Sequence, residues 1–166
     1  MGSVQGKFLV ASPHLADGNF FRSVVLMIQH DDEGAFGVVI NRPTSDNLIH
    51  VGGPVPGPPL AIHSDESCSE NEVLPGVYVA TDEETIERIV EGSSPYRVFS
   101  GYSGWAAGQL DHELEIGGWL IAPATHDQIF CMDVDSLWKS VTDSIGLDII
   151  VPTMSRNRVP PDPNAN

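Results

Sequence analysis

The chain has 166 residues, 41% of them hydrophobic, a length and composition that suit one domain of ordinary size with a real core. Its 23 acidic residues against 8 basic ones give a formal net charge of −15, and Lys7, Arg22, Arg42, Arg88, Arg97, Lys139, Arg156 and Arg158 form no basic run. Binding through nucleic-acid phosphates needs a concentrated basic patch, so ordinary groove reading is excluded, and no span approaches the roughly 18 apolar residues of a membrane helix.

Phe8 to Ala11, Ser23 to Gln29 and Phe36 to Asn41 are rich in Val, Ile, Leu and Phe and read as strands. The turn Asp31-Asp32-Glu33-Gly34 predicts a hairpin between the last two. In Gly52 to Pro59 only Val55 is neither Gly nor Pro, which predicts a constrained loop. Leu60 to His63 and Val77 to Ala80 predict short strands. Thr81-Asp82-Glu83-Glu84 then matches the S/T-x-x-E capping box with Thr81 as the cap; Ile86, Ile89 and Val90 supply the buried face of that helix and Gly92 ends it.

Tyr96 to Gly101 alternates as a pleated strand, and Gly101, Gly104 and Gly108 relieve steric limits where the chain reverses. The period then becomes helical. Trp105, Gln109, His112 and Glu113 share one face and Ala106, Leu110 and Leu114 another, with Leu110 and Leu114 expected to be buried. Trp119 to Ala122 predicts a further strand. A final helix is capped by Asp133, carries Val134, Leu137, Trp138, Val141 and Ile145 at i, i+3, i+4 spacing, and closes at Gly146. From Pro152 onward Pro, Asn and Arg dominate, so the domain is expected over residues 6–150 with a flexible tail at 151–166. Strands outnumber helices and short turns join neighbours, which favours an α+β domain with a largely antiparallel sheet.

No set of residues has the spacing of a known catalytic centre. Gly101-Tyr102-Ser103-Gly104-Trp105 resembles a nucleophile elbow, but that strained turn needs a small residue where Trp105 stands. His112-Glu113-Leu114-Glu115-Ile116 begins like a zinc-protease helix and has Ile116 in place of the second His. The glycine spacing fits no dinucleotide fingerprint, and no Walker-type Lys follows a glycine loop. His30 beside Asp31, Asp32 and Glu33, and His63 near Asp65 and Glu66, are the nearest approaches to a ligand set. Acidic surface loops account for them equally well in so acidic a chain, and neither a metal nor a cofactor is expected. Cys68 and Cys131 are isolated and expected to be reduced, Cys131 within a core. Cys68 lies in an acidic stretch whose repulsion would raise its thiol pKa, against a redox-sensor role.

The segment Tyr96 to Leu114 resembles the signature of the AlgH-like family, a widespread bacterial family named for a proposed regulator of alginate. Three further blocks agree: Gly6-Lys7-Phe8-Leu9-Val10-Ala11-Ser12-Pro13 with Phe20-Phe21-Arg22-Ser23-Val24-Val25; His30 followed by Gly34-Ala35-Phe36-Gly37-Val38-Val39-Ile40-Asn41-Arg42-Pro43; and Gly52-Gly53-Pro54-Val55 with His63 beyond. The resemblance implies a bifurcated sheet forming a pseudo-barrel with helices packed outside. Between Thr44 and Gly52 the family usually carries a helix with its connections, whereas only Ser45 to Val51 intervene here. One helical turn already uses about 3.6 residues, so either this member lacks the element or the segment is missing from the sequence. The start Met1-Gly2-Ser3-Val4-Gln5-Gly6 has neither the order of a signal peptide nor the Ser/Thr of a myristoylation motif, and the bacterial cytoplasm is the expected compartment.

The resulting expectation is a non-enzymatic regulatory domain that takes a small ligand or a protein partner, with no membrane association, no direct DNA binding and no prescribed oligomeric state. The candidate surface combines Asn41 and Arg42 at a strand end, Gly52 and Gly53, and the turn with Gly101, Tyr102, Gly104, Trp105, Gly108, Gln109 and Glu113. Arg42 either pairs with an internal carboxylate or recognises an anionic group. The glycine turn is either purely structural or presents helix-start amides to an anion. The competing expectations are a hydrolase or transferase on a small anionic substrate, with His112 or Glu113 as acid or base, and an interaction module without a pocket.

Overall fold

In the computed structural model, which describes residues 3–11, 23–42, 49–68, 71–131, 136–143 and 145, the β-branched runs assemble into two five-stranded sheets. The first is built from β1 (Lys7–Ala11), β2 (Val24–Asp31), β3 (Gly34–Val39), β9 (Ser103–Ala106) and β10 (Trp119–Pro123), in the order β10-β1-β2-β3-β9 and antiparallel throughout. The second comprises β4 (Ile49–Val51), β5 (Leu60–His63), β6 (Glu72–Leu74), β7 (Val77–Ala80) and β8 (Tyr96–Ser100), ordered β4-β8-β5-β7-β6, with only β4 and β8 parallel. The chain is thus α+β with largely antiparallel sheets.

The sheet bifurcates where one chain path crosses between the two halves. β8 ends at Ser100, the chain turns at Gly101 and Tyr102, and β9 continues in the other sheet. Gly101 has φ +78, the left-handed region where a side chain would strain the turn. The loop after β4 seals this crossing: the Gly52 carbonyl accepts from the Val39 amide at 2.8 Å and the Ser103 hydroxyl at 3.2 Å, while its amide donates to the Ser100 carbonyl at 2.9 Å. Val55 and Tyr102 exchange both backbone bonds, at 3.0 and 2.9 Å.

One core lies between the two sheets, joining Phe8, Val10, Leu26 and Val38 of the first to Leu60, Ile62, Val79 and Phe99 of the second. Each such side chain contributes about 1.5–3 kcal/mol relative to exposure. The helical residues 136–143 close it with Leu137 and Val141, as the spacing predicts, while the predicted cap Asp133 and stop Gly146 lie outside the described residues. The outer face of the first sheet buries Leu9, Val25, Met27, Trp105 and Trp119 under α2 (Gln109–Glu115), whose Leu110 and Leu114 face inward as expected. The outer face of the second carries α1 (Glu83–Glu91) over Ala61, Ala80 and Cys68.

Several expectations are corrected. The cap of α1 is Asp82, which accepts the Thr85 amide at 3.1 Å, because Thr81 still belongs to the extended chain leaving β7. Val90 is 43% exposed, so the buried stripe of α1 is Ile86 and Ile89 alone. The two thiols exchange their expected places. Cys68 is buried at the end of a 3-10 turn, Glu66–Cys68, and Cys131 is exposed just after α3 (His126–Phe130). The helix after the triple-glycine turn begins at Gln109, so Trp105 lies on a strand. The tail from 151 and the short segment 43–48 lie outside the described residues. Among the described residues no helix is long and apolar enough to cross a membrane.

Candidate functional site

The two sheets diverge from their crossing and leave a cavity of about 750 Å³. One wall comes from the β2–β3 hairpin, with Gln29, Asp31, Glu33, Gly34, Ala35 and Phe36, and from β9, with Gly104 and Trp105. The other comes from Val55, Pro58 and Pro59 of the proline loop, Leu60 of β5 and Thr81 after β7, with Tyr102 at the crossing itself. Phe36 and Tyr102 meet edge to face, centroids 6.1 Å apart. A polar cavity of about 640 Å³ adjoins it, sharing Gln29, Asp31, Phe36 and Thr81 and adding Gln5, His30, Asn71 and Glu72 among others.

The sequence-predicted residues divide among several places. Tyr102, Gly104 and Trp105 line the large cavity. Gly52, Gly53 and Gly101 form its hinge: a Cβ on Gly53 would stand 2.3 Å from the Tyr102 carbonyl, and one on Gly52 2.4 Å from the Gly101 oxygen. Arg42 and Gly53 instead border a separate notch of about 80 Å³ with Val39, Val51 and Pro54. Asn41 is structural, its Oδ1 accepting the Val24 amide at 2.9 Å.

Gln109 is exposed and Glu113 half-buried, and the two are tied to the framework by hydrogen bonds. Glu113 Oε1 accepts both indole N–H groups, Trp105 at 2.9 Å and Trp119 at 2.8 Å, and its Oε2 accepts from Gln109 at 3.2 Å. The Gln109 carbonyl oxygen accepts the Ala106 amide at 3.0 Å. Gly108 caps α2 in the left-handed conformation, φ +75, without a side-chain bond. The triple-glycine motif therefore carries a buttress: α2 holds Trp105 and Trp119 edge to face, 5.8 Å between centroids, behind the cavity wall.

Three histidines, His30, His50 and His63, are set within the framework. His30 Nδ1 accepts the Val4 amide at 3.0 Å, so its proton resides on Nε2, 3.0 Å from Asp111 Oδ1. His63 is wholly buried and its Nδ1 accepts the Asp65 amide; burial lowers its pKa, opposed by the Asp65 charge. His50 is lowered first by burial and then by the Arg97 charge beside it. Arg97, which no sequence pattern singles out, donates to the Ile129 carbonyl at 2.7 Å and the Phe130 carbonyl at 3.4 Å, satisfying the end of α3. Among the described residues no group of three or more His, Cys, Asp or Glu side chains is placed to hold a metal ion.

The candidate surface read from the sequence leaves out Phe36, Thr81, Asp31 and Glu33, which line the cavity. The two carboxylates read as a generic acidic turn, and only the pairing of β3 with β9 brings them beside Trp105. In the turn, Asp31 Oδ2 accepts from Gln29 Nε2 and Oδ1 from the Glu33 amide, each at 2.9 Å. Those bonds, the Gln29 one foremost, hold its carboxyl below the usual range.

Both sequence and fold have known counterparts. The UPF0301 protein of Chlorobaculum parvum is 35% identical over 163 residues, covering 86% of this chain and 87% of that protein. A UPF0301 protein of Xanthomonas oryzae pv. oryzae is 34% identical, covering 86% and 89%. The solution structure of AlgH from Pseudomonas aeruginosa superposes with a TM-score of 0.75 at 27% identity, over 92% of this chain and 96% of that one. A crystal structure of a protein from Corynebacterium diphtheriae gives a TM-score of 0.66 at 26% identity, over 87% and 88%. The sequence profile described as AlgH-like matches residues 8–150, and with it the bifurcated sheet and the motif order agree: this chain belongs to the AlgH-like family.

Proposed function

We propose that this protein is a non-enzymatic regulatory domain of the bacterial cytoplasm that binds a small molecule in the cleft between its two sheets. The observation that carries this reading is the cavity of about 750 Å³ lined by Phe36 and Tyr102, with Trp105 packed behind its wall, the size and aromatic character of a small-ligand site. The buttress behind it supports the same reading. Acid–base catalysis by Glu113 would need that carboxylate to exchange a proton with a substrate, and it is committed to two indoles and an amide. A net charge of −15 favours passing a signal to a protein over contact with DNA, whose phosphates it repels.

A thermal-shift screen of a small-metabolite library tests the proposal, run on the wild-type protein and on Thr81→Trp, which fills the cleft from an exposed position. A ligand at one hundred times its Kd stabilises by about 2.7 kcal/mol, so true ligands raise the wild-type Tm by several degrees and leave Thr81→Trp unmoved. A library in which no compound separates the two proteins would remove the cleft as the functional site.

A further inference from the structure

Among the described residues, the side chains of formal charge that line the cleft are all carboxylates. Asp31 and Glu33 stand at the hairpin rim, and no Lys or Arg is among the described residues lining this cavity or the adjoining one. The path beyond Asp31 meets Glu72, a third carboxylate. The same cleft is lined by the rings of Phe36 and Tyr102, which meet edge to face, while the Trp105 ring packs behind that wall under α2. Aromatic faces attract cations and carboxylates pair with them, while an anion entering past Asp31 and Glu33 would meet like charge.

We infer that the ligand of this cleft is an organic cation: an ammonium group, seated between the Asp31 and Glu33 carboxylates and the aromatic wall, on an apolar body that packs against Phe36, Tyr102, Val55 and Leu60. The inference rests on the reading of the cleft as a ligand site and replaces the anionic ligand that Arg42 and the glycine turn suggested. Arg42 borders the separate notch, too small at about 80 Å³ for such a molecule. Asp31 keeps lone pairs for a ligand after accepting from Gln29 and the Glu33 amide, since a carboxylate offers about four acceptor positions. Those same bonds fix its direction and keep it ionised.

Three probes of matched shape separate charge from shape: phenethylamine, 2-phenylethanol and 3-phenylpropanoate, titrated at neutral pH and low salt with tryptophan fluorescence and protein amide shifts as readouts. The amine should bind about five- to tenfold more tightly than the alcohol, the ratio that a cation–π contact with a solvent-screened ion pair supplies, and the acid should bind most weakly. In the Asp31→Asn/Glu33→Gln variant the amine should fall to the affinity of the alcohol, whose own binding is unchanged. The carboxamide introduced at position 31 keeps an oxygen to accept the backbone amide of residue 33, and an unchanged Tm verifies that the hairpin is intact. Equal binding of amine and alcohol, lost together in Thr81→Trp, would overturn the cation and leave the cleft as a ligand site. Tighter binding of the acid, or binding of no probe, would overturn the inference as well, and the metabolite screen then decides separately whether the cleft itself stands.

Discussion

Glu113 Oε1 receives two indole N–H groups within 2.9 Å, from a strand before its helix and a strand after it. Such a group acts on the fold before it acts on any ligand. Truncation in Glu113→Ala removes the acceptor shared by Trp105 and Trp119, which are 7% and 3% exposed, and should cost about 2–4 kcal/mol, since a buried donor that loses its partner costs about 1–3 kcal/mol. Glu113→Gln retains an acceptor oxygen but turns a second amide toward Gln109, and about 1 kcal/mol is expected. Urea unfolding followed by tryptophan fluorescence measures both. Unchanged stability in Glu113→Ala would make the residue an acid–base candidate again. The Gln109–Glu113 pair is legible as i, i+4 neighbours, and Trp105 on the same predicted face points to the cluster. Trp119 is not legible, because the Gly117-Gly118 turn that carries β10 back beside β1 leaves no periodic trace.

Among elements, α1 gives the cleanest contrast between motif and geometry. Thr81 satisfies the capping-box pattern, but the side chain that accepts the Thr85 amide and hydroxyl, each at 3.1 Å, is Asp82. Asp82→Ala should therefore cost about 1 kcal/mol, the usual worth of an N-cap, and Thr81→Ala should stay within about 0.5 kcal/mol of wild type, as exposed substitutions generally do. Matched urea midpoints for the two variants would show that neither caps the helix alone. The strands β5 and β7 are legible with their observed bounds, and β8 to within one residue, because their apolar runs are bracketed by Pro, Gly or polar residues. β4, β6 and β9 are not, for a common reason: Ile49–Val51, Glu72–Leu74 and Ser103–Ala106 are three or four residues long, and their pairing partners define them more than their own composition does. The last of these also contains Gly104 in a stretch whose neighbours read as a helix. α3 is five residues long and invisible to periodicity, although Thr125 and Gln128 make the reciprocal cap that the motif places at Thr81.

For the molecule as a whole, the decisive contact is backbone against backbone at the sheet crossing. Gly52-Gly53 and Gly101-Tyr102 are recognisable as separate motifs, but that they are one site in space cannot be read from either, since no side-chain pattern records the approach of two main chains. A Cβ on Gly53 would lie 2.3 Å from the Tyr102 carbonyl carbon and oxygen and 2.5 Å from the Ser103 nitrogen, and none of these atoms can rotate aside. Relief would require separating the Val55–Tyr102 bridge, which joins the proline loop to the crossing and positions both on the cleft. Gly53→Ala should accordingly lose at least about 3 kcal/mol, combining overpacking with a strained backbone. Gly76→Ala is the control: Gly76 has φ +81 and nothing within 4 Å of an added Cβ, so only the conformational penalty of about 1–2 kcal/mol applies. Urea midpoints for the pair, with near-UV circular dichroism to follow the aromatic wall, test the junction. Equal losses in the two variants would mean that the sheets can part locally, and the cleft would then lack the fixed hinge that its proposed use requires.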